Sequence, residues 1–149
     1  MILAAILASL VCAATPVHGE PLPRSGVLAQ LKWVQAAPPR AGIVGMLYAY
    51  DDRLEESIAP TFALWAHGHA PDGHATKILW LVRNTHAGLS IVIRGRLVGG
   101  TETFRQSFPV AGGGGGYPSI IVVPRAGCWR LDVSTGATRG TLVVKAVEP

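Results

Sequence analysis

Gly127-Cys128-Trp129-Arg130-Leu131-Asp132-Val133 alternates between two faces without a break, Trp129, Leu131 and Val133 on one side and Cys128, Arg130 and Asp132 on the other. A period of two is the pattern of a half-buried β-strand, here with a tryptophan anchoring its inner face. The strand lies inside Tyr117 to Val147, YPSIIVVPRAGCWRLDVSTGATRGTLVVKAV. Pro124 to Gly127 and Ser134 to Ala137 read as turns, leaving Ile120 to Val123 and Thr138 to Val147 as the neighbouring strands.

The same signals continue upstream. Leu89 to Val98 puts Leu89, Ile91, Ile93 and Leu97 inward and Ser90, Arg94 and Arg96 outward. Gly99-Gly100 then supplies a hairpin into Thr101 to Phe108, with Phe104 and Phe108 expected in the core. Thr76 to Arg83 is apolar on both faces, which predicts a central strand. Ile43 to Tyr50 reads as a core strand and Thr61 to Ala66 as a further strand, while Val27 to Ala37 fits a first strand at an edge, with a short helix as the alternative because Val27, Leu31 and Val34 also fit helical spacing. In Asp51 to Pro60, Asp52 with Glu55 resembles a helix-starting box, for one helical turn or a long loop.

The chain has 149 residues, room for one domain with a proper core. Its 18 glycines and 11 prolines punctuate it too often for long helices. The expected fold is an all-β, immunoglobulin-like antiparallel sandwich of about 7–9 short strands, with a small β-barrel as the alternative. Gly112 to Gly116 is an unbroken glycine run between strands, so it lacks the helix that a phosphate cradle needs.

Residues 1–19, MILAAILASLVCAATPVHG, carry no Lys, Arg, Asp or Glu and have the length and small-residue ending of a signal peptide. Cleavage is expected after Gly19 or Ala14, followed by a Pro-rich segment over 20–40 and a sandwich over 41–149. A buried N-terminal helix or strand is the alternative. The apolar run is too short to cross a bilayer, so no membrane span is expected after cleavage. The n-region has only the α-amino charge, and a start upstream of Met1 would account for that. Val11, not a small residue, precedes Cys12, which argues against a lipid anchor there. With residues 1–19 removed, Cys128 would be the one remaining cysteine and no internal disulfide would form. The protein is expected to be periplasmic or secreted.

Residues 124–133, P-x-x-G-C-W-R-L-D-V, then G-T-L-V-V-K-A-V over 140–147, with Lys77-Ile78-Leu79-Trp80 ahead of them, resemble a family of uncharacterised bacterial exported proteins and lipoproteins with an Ig-like domain. The resemblance spans Ile43 to Val147 and implies export and a β-sandwich; it brings no activity and no catalytic residues. A fainter likeness is to chagasin-type protease inhibitors, carried by Asn84 to Leu89 and the glycine run. Their Arg-Pro-aromatic loop is absent, since Ser134 to Arg139 stands in its place.

His67, His69 and His74, with Asp72, form the densest set of candidate ligands, and neutral imidazoles suit copper or zinc. On a strand, His67 and His69 would share one face, with a turn returning His74 toward them. Asp51, Asp52, Glu55 and Glu56 are a solvated acidic loop by default and a cation site otherwise. None of Ser25, Ser57, Ser90, Ser107, Ser119 and Ser134 stands in a nucleophile-elbow context. Trp80 and Trp129 are expected in the core, whereas Trp33 or Trp65, if exposed, would offer a sugar or peptide platform. The net charge of +4 is mild, and the loose cluster Arg83, Arg94, Arg96 and Arg105 reads as a solvated sheet face and not a nucleic-acid groove. The expected role is therefore a non-catalytic module, with no cofactor, that binds an unknown protein or cell-surface ligand.

Overall fold

A computed structural model describes residues 11–22, 31–55, 60–83, 89–111 and 116–149. It is a two-sheet β-sandwich with ten strands and no α-helix among those residues. One sheet holds β1 (Val17–His18), β2 (Lys32–Gln35), β3 (Ile43–Tyr48), β5 (Lys77–Val82) and β8 (Tyr117–Ser119), in the order β1-β2-β3-β5-β8. The other holds β4 (Ala63–Trp65), β6 (Ile91–Leu97), β7 (Thr103–Phe108), β9 (Gly127–Thr135) and β10 (Thr138–Val147), in the order β4-β10-β9-β6-β7. All ladders are antiparallel except β4 on β10, where Ala63, Leu64 and Trp65 run parallel to Lys145, Ala146 and Val147.

The alternation that predicted the sandwich is what packs it. Trp129, Leu131 and Val133 are fully buried, as are Ile91 and Ile93 of β6 and Leu142 and Val144 of β10. Opposite them, Ile43, Leu47, Ile78 and Trp80 fill the inner face of the first sheet, and β5 lies inside that sheet between β3 and β8. Each such side chain taken out of water contributes about 1.5–3 kcal/mol.

Polar atoms inside the core are all partnered among the described residues. Trp80 Nε1 donates to Ser119 Oγ at 3.0 Å, and that hydroxyl donates to the Ile78 carbonyl at 3.2 Å. Tyr117 and Thr135 share a hydroxyl hydrogen bond of 3.2 Å, which joins β8 of one sheet to β9 of the other. Trp129 Nε1 donates to the Arg125 carbonyl at 3.0 Å.

The N-terminal segment departs from expectation. Residues 11–22 are built into the sandwich: Thr15 donates its N–H to the Val143 carbonyl at 2.9 Å, its hydroxyl oxygen accepts from Val143 N at 2.9 Å, and Val17 is buried against the core. Cys12 and Cys128 form a disulfide with a Cα–Cα distance of 5.4 Å across 116 residues of sequence. The expectation of no internal disulfide rested on losing residues 1–19, but Cys12 lies three residues before Thr15 at the β10 edge and reaches the outward thiol of β9. Within residues 11–22 the strand is Val17–His18, and Val17 is its buried residue. The sandwich also starts ahead of residue 41, since Val34 and Ala36 are fully buried.

Other differences are local. Leu89 is 45% exposed, not inward, because β6 begins only at Ile91. Ile120 to Val123 makes no ladder. It carries the chain from β8 to the second sheet, held by His67 N to the Val123 carbonyl at 2.8 Å and by Gln106 against the Val122 backbone, while Ile121 and Val123 stay buried. Alternation there reports burial without pairing. The acidic segment forms a 3-10 turn over Asp52–Leu54 capped by Asp51, one residue before the expected cap. Residues 27–30 of the first strand expected over Val27 to Ala37, together with 84–88 and 112–115, lie outside the described residues, and the rest of that strand, β2, stands between β1 and β3 and not at an edge.

Candidate functional site

The three histidines do not converge. His67 sits in a 3-10 turn, Ala66–Gly68, with a left-handed backbone (φ 65°), so the same-face argument for His67 and His69 fails with the strand it assumed. His67 Nε2 is 3.1 Å from Glu148 Oε2, His69 Nδ1 is 2.9 Å from the carbonyl of Ala70, and His74 Nδ1 is 3.1 Å from Asp72. No group of three or more His, Cys, Asp or Glu side chains among the described residues is arranged to hold a metal ion. Cys128 is held in the disulfide and offers no free thiol.

Beside this loop, Asp51, Arg53 and Trp65 form a closed polar cluster. Trp65 Nε1 donates to Asp51 Oδ2 at 2.8 Å, and Arg53 Nη2 donates to the same oxygen at 2.6 Å. The Arg53 guanidinium lies 5.8 Å over the Trp65 ring and reaches Asp72 at 3.3 Å. A hollow of about 170 Å³ opens between Asp51, Trp65, His74 and Thr76. Arg53 covers one face of the indole, and Trp33 stacks on His18 at 4.2 Å, so the two half-buried tryptophans are engaged by their own chain. Lys32 bridges to Asp52 at 3.0 Å and to Glu55, so Asp51, Asp52 and Glu55 hold protein cations instead, while Glu56 lies outside the described residues.

Arg53's hydrogen bonds, helped by the indole N–H, hold the Asp51 carboxyl well below the usual carboxylate range. The folded-state pKa lies below the unfolded one, so this contribution is whole above about pH 4 and fades as acid titrates the depressed group. Asp51→Asn is therefore expected to lower stability at neutral pH by about 1–2 kcal/mol, the worth of a charged hydrogen-bond acceptor at a cap. The gap between mutant and wild type in urea midpoint should hold from pH 7 to about pH 4 and narrow below it toward pH 2; a gap that stays the same down to pH 2 would refute this assignment.

The second sheet presents a different surface. Cross-strand register places Arg105, Arg94, Asp132 and Thr141 in one row across β7, β6, β9 and β10. Thr103, Arg96, Arg130 and Val143 form the next row, and Ser107, Val92, Ser134 and Arg139 the row on the other side. Residues paired across strands share a face, and Arg94, Arg96, Arg105, Arg130 and Arg139 are all exposed. Arg94 stands directly opposite Arg105, and Arg96 directly opposite Arg130. Such like-charge pairs weaken a sheet.

In these rows one carboxylate, Asp132, answers five guanidinium groups. Arg130 lies 3.6 Å from it, and the Thr141 hydroxyl donates to it at 3.1 Å. Among the described residues Arg94, Arg96, Arg105 and Arg139 have no ion-pair partner. Two shallow hollows, about 530 Å³ toward Pro38 and Arg139 and about 520 Å³ toward Thr103 and Arg105, meet at Arg94 and Asp132.

The sequence showed Arg94, Arg96 and Arg105 as a loose cluster, with Arg83. In the fold Arg83 follows β5 in the other sheet, and Arg130 and Arg139 take its place. The outward parity of Arg130 was readable from its own strand, but its pairing with Arg96 was not. Comparison with protein-family models, with curated proteins and with solved structures finds no match to this chain.

Proposed function

We propose that the protein is an exported, non-catalytic β-sandwich module that binds a ligand at the cell surface or in the periplasm. The observation that carries this is the Cys12–Cys128 disulfide, which ties the N-terminal strap to the longest ladder of the fold. Disulfides persist in oxidising compartments and are rare in the cytosol. The strand pattern of 77–80, 124–133 and 140–147, which resembles exported Ig-like bacterial proteins, supports the same location. A non-catalytic role is supported by the engagement of Cys128 and of His67, His69 and His74 with structural partners.

An export signal that leaves the disulfide intact has to be cut ahead of Cys12. Cleavage after Ala14 or Gly19 would discard Cys12, and the later cut would also remove Val17 from the core. Lipid attachment at Cys12 competes with the disulfide for one sulfur, so an unanchored protein accords with the bridge.

Expression of the full chain in a bacterial host, followed by fractionation, N-terminal sequencing and thiol titration, tests this. Protein outside the cytoplasm, with Cys12 retained and no titratable thiol, is the expected result. Protein confined to the cytoplasm with both thiols free would overturn it.

A further inference from the structure

We infer that the outer face of the β10-β9-β6-β7 sheet is a docking surface for an anionic polysaccharide, an extended polymer bearing carboxylates or sulfates. This rests on the exported binding role proposed above and names its partner. Five arginines project from adjacent strands, two pairs of them directly opposite one another, with Asp132 as the one carboxylate in the rows. A sheet that tolerates like charges in register gains stability when an anion settles between them. Guanidinium groups, unlike ammonium groups, meet carboxylates and sulfates through paired N–H donors.

The shape and the remaining side chains select among polyanions. The face is open and shallow, with its two hollows side by side across the strands, one toward β10 and one toward β7, which fits an extended chain running over both. Thr103, Ser107, Ser134 and Thr141 interleave with the arginines and offer hydroxyls to sugar hydroxyls. No aromatic side chain stands in these outward rows, since Phe104 turns inward to meet Trp129 edge-on at 5.4 Å. Single-stranded nucleic acid would call for such stacking platforms. The outward apolar residues in these rows, Val92 and Val143, are half-buried, which leaves no wedge for insertion into lipid. A disulfide-bearing exported protein meets acidic glycans more readily than nucleic acid.

The test uses the oxidised full-length protein and heparin as the probe. Wild type should be retained on immobilised heparin and released by salt, because exposed charges are screened. Arg94→Glu/Arg96→Glu should bind at least roughly tenfold more weakly, while Lys77→Glu/Arg83→Glu, an equal charge change on the first sheet, should bind as wild type does. Thermal melts establish that both variants fold; if the Arg94/Arg96 variant does not, Arg105→Ser/Arg130→Ser replaces it.

Equal weakening in both variants would show a net-charge effect and overturn the proposal. So would binding to duplex DNA, or to phosphatidylglycerol vesicles, that matches heparin and is lost in the same variant, since it would assign the face to nucleic acid or membrane. The assay is independent of cell location, so failure here leaves export to be decided by fractionation.

Discussion

Opening the Cys12–Cys128 bond, by reduction or in a Cys12→Ser/Cys128→Ser variant, is expected to lower stability by about 4 kcal/mol and the Tm by about 10 °C. The bond spans 116 residues, nearly the whole described chain, so the unfolded protein loses a large closure entropy when it is made. In the folded protein the strap has few other ties. Thr15 exchanges hydrogen bonds with Val143 and accepts one from Phe62 N at 2.7 Å, Val17 N donates to the Pro60 carbonyl at 2.9 Å, and Val17 packs into the core. Without the sulfur bridge those contacts, the two-residue pairing of β1 with β2 and the His18–Trp33 stack must order residues 11–18.

Reduced protein should therefore show faster amide exchange at Thr15 and Val17 than at the β9–β10 ladder, as well as an earlier urea midpoint. Removing residues 1–19 altogether should cost more than the double serine variant, because Val17 and its strand partner Val34 are then separated too. An unchanged urea midpoint on reduction, with thiol release confirmed, would show that the bridge does not constrain the fold.

The disulfide was hidden in the sequence for a physical reason. A secretory leader and a strand packed under a sheet both need an uncharged, apolar run, and residues 1–19 satisfy either demand. The contact that brings Cys12 near Cys128, the hydrogen bonding of Thr15 to β10, is a tertiary fact that no such run displays. The parallel pairing of β4 was hidden for a related reason, since Ala63-Leu64-Trp65 is too short to show a period or a direction. By contrast, the long strands announced themselves. The period of two across β9, β6 and β10 survives intact, with every predicted inward residue from Ile91 to Leu97 and from Trp129 to Val133 buried.

Site residues followed the same division. Each arginine's outward parity was legible within its own strand, yet the face they build depends on register, which sets Arg96 against Arg130 and Arg94 between Arg105 and Asp132. Register is fixed by the turns and the buried side chains together, and so is invisible strand by strand. The histidine cluster erred in the opposite direction. Nearness in sequence suggested convergence, but the left-handed residue at His67 and the pairing of each imidazole with a separate partner disperse the group.

Trp129→Ala should destabilise the protein by about 3–5 kcal/mol, the cost of emptying a fully buried aromatic site. Trp129 is 0% exposed on β9, between Leu97 of β6 and Val144 of β10. Its ring also receives Phe104, which can reach it because residue 95 is glycine: a Cβ there would lie 2.0 Å from the Phe104 ring. Removing the indole leaves Phe104 packed over a void and the Arg125 carbonyl without its donor. Relaxation of Phe104 toward the void would draw β7 inward at one end, and Arg105 rides on the next residue. Loss of heparin retention by Trp129→Ala, under conditions where it is still folded, would accordingly signal displacement of Arg105 against Arg94 and not loss of charge. Trp129→Phe keeps an aromatic ring but forfeits the N–H and part of the indole's volume, and should cost less, about 2–3 kcal/mol. Urea unfolding of both variants beside Trp33→Ala, whose indole is half-buried, provides the scale; a Trp129→Ala cost no larger than that of Trp33→Ala would remove Trp129 as the anchor of the sheet.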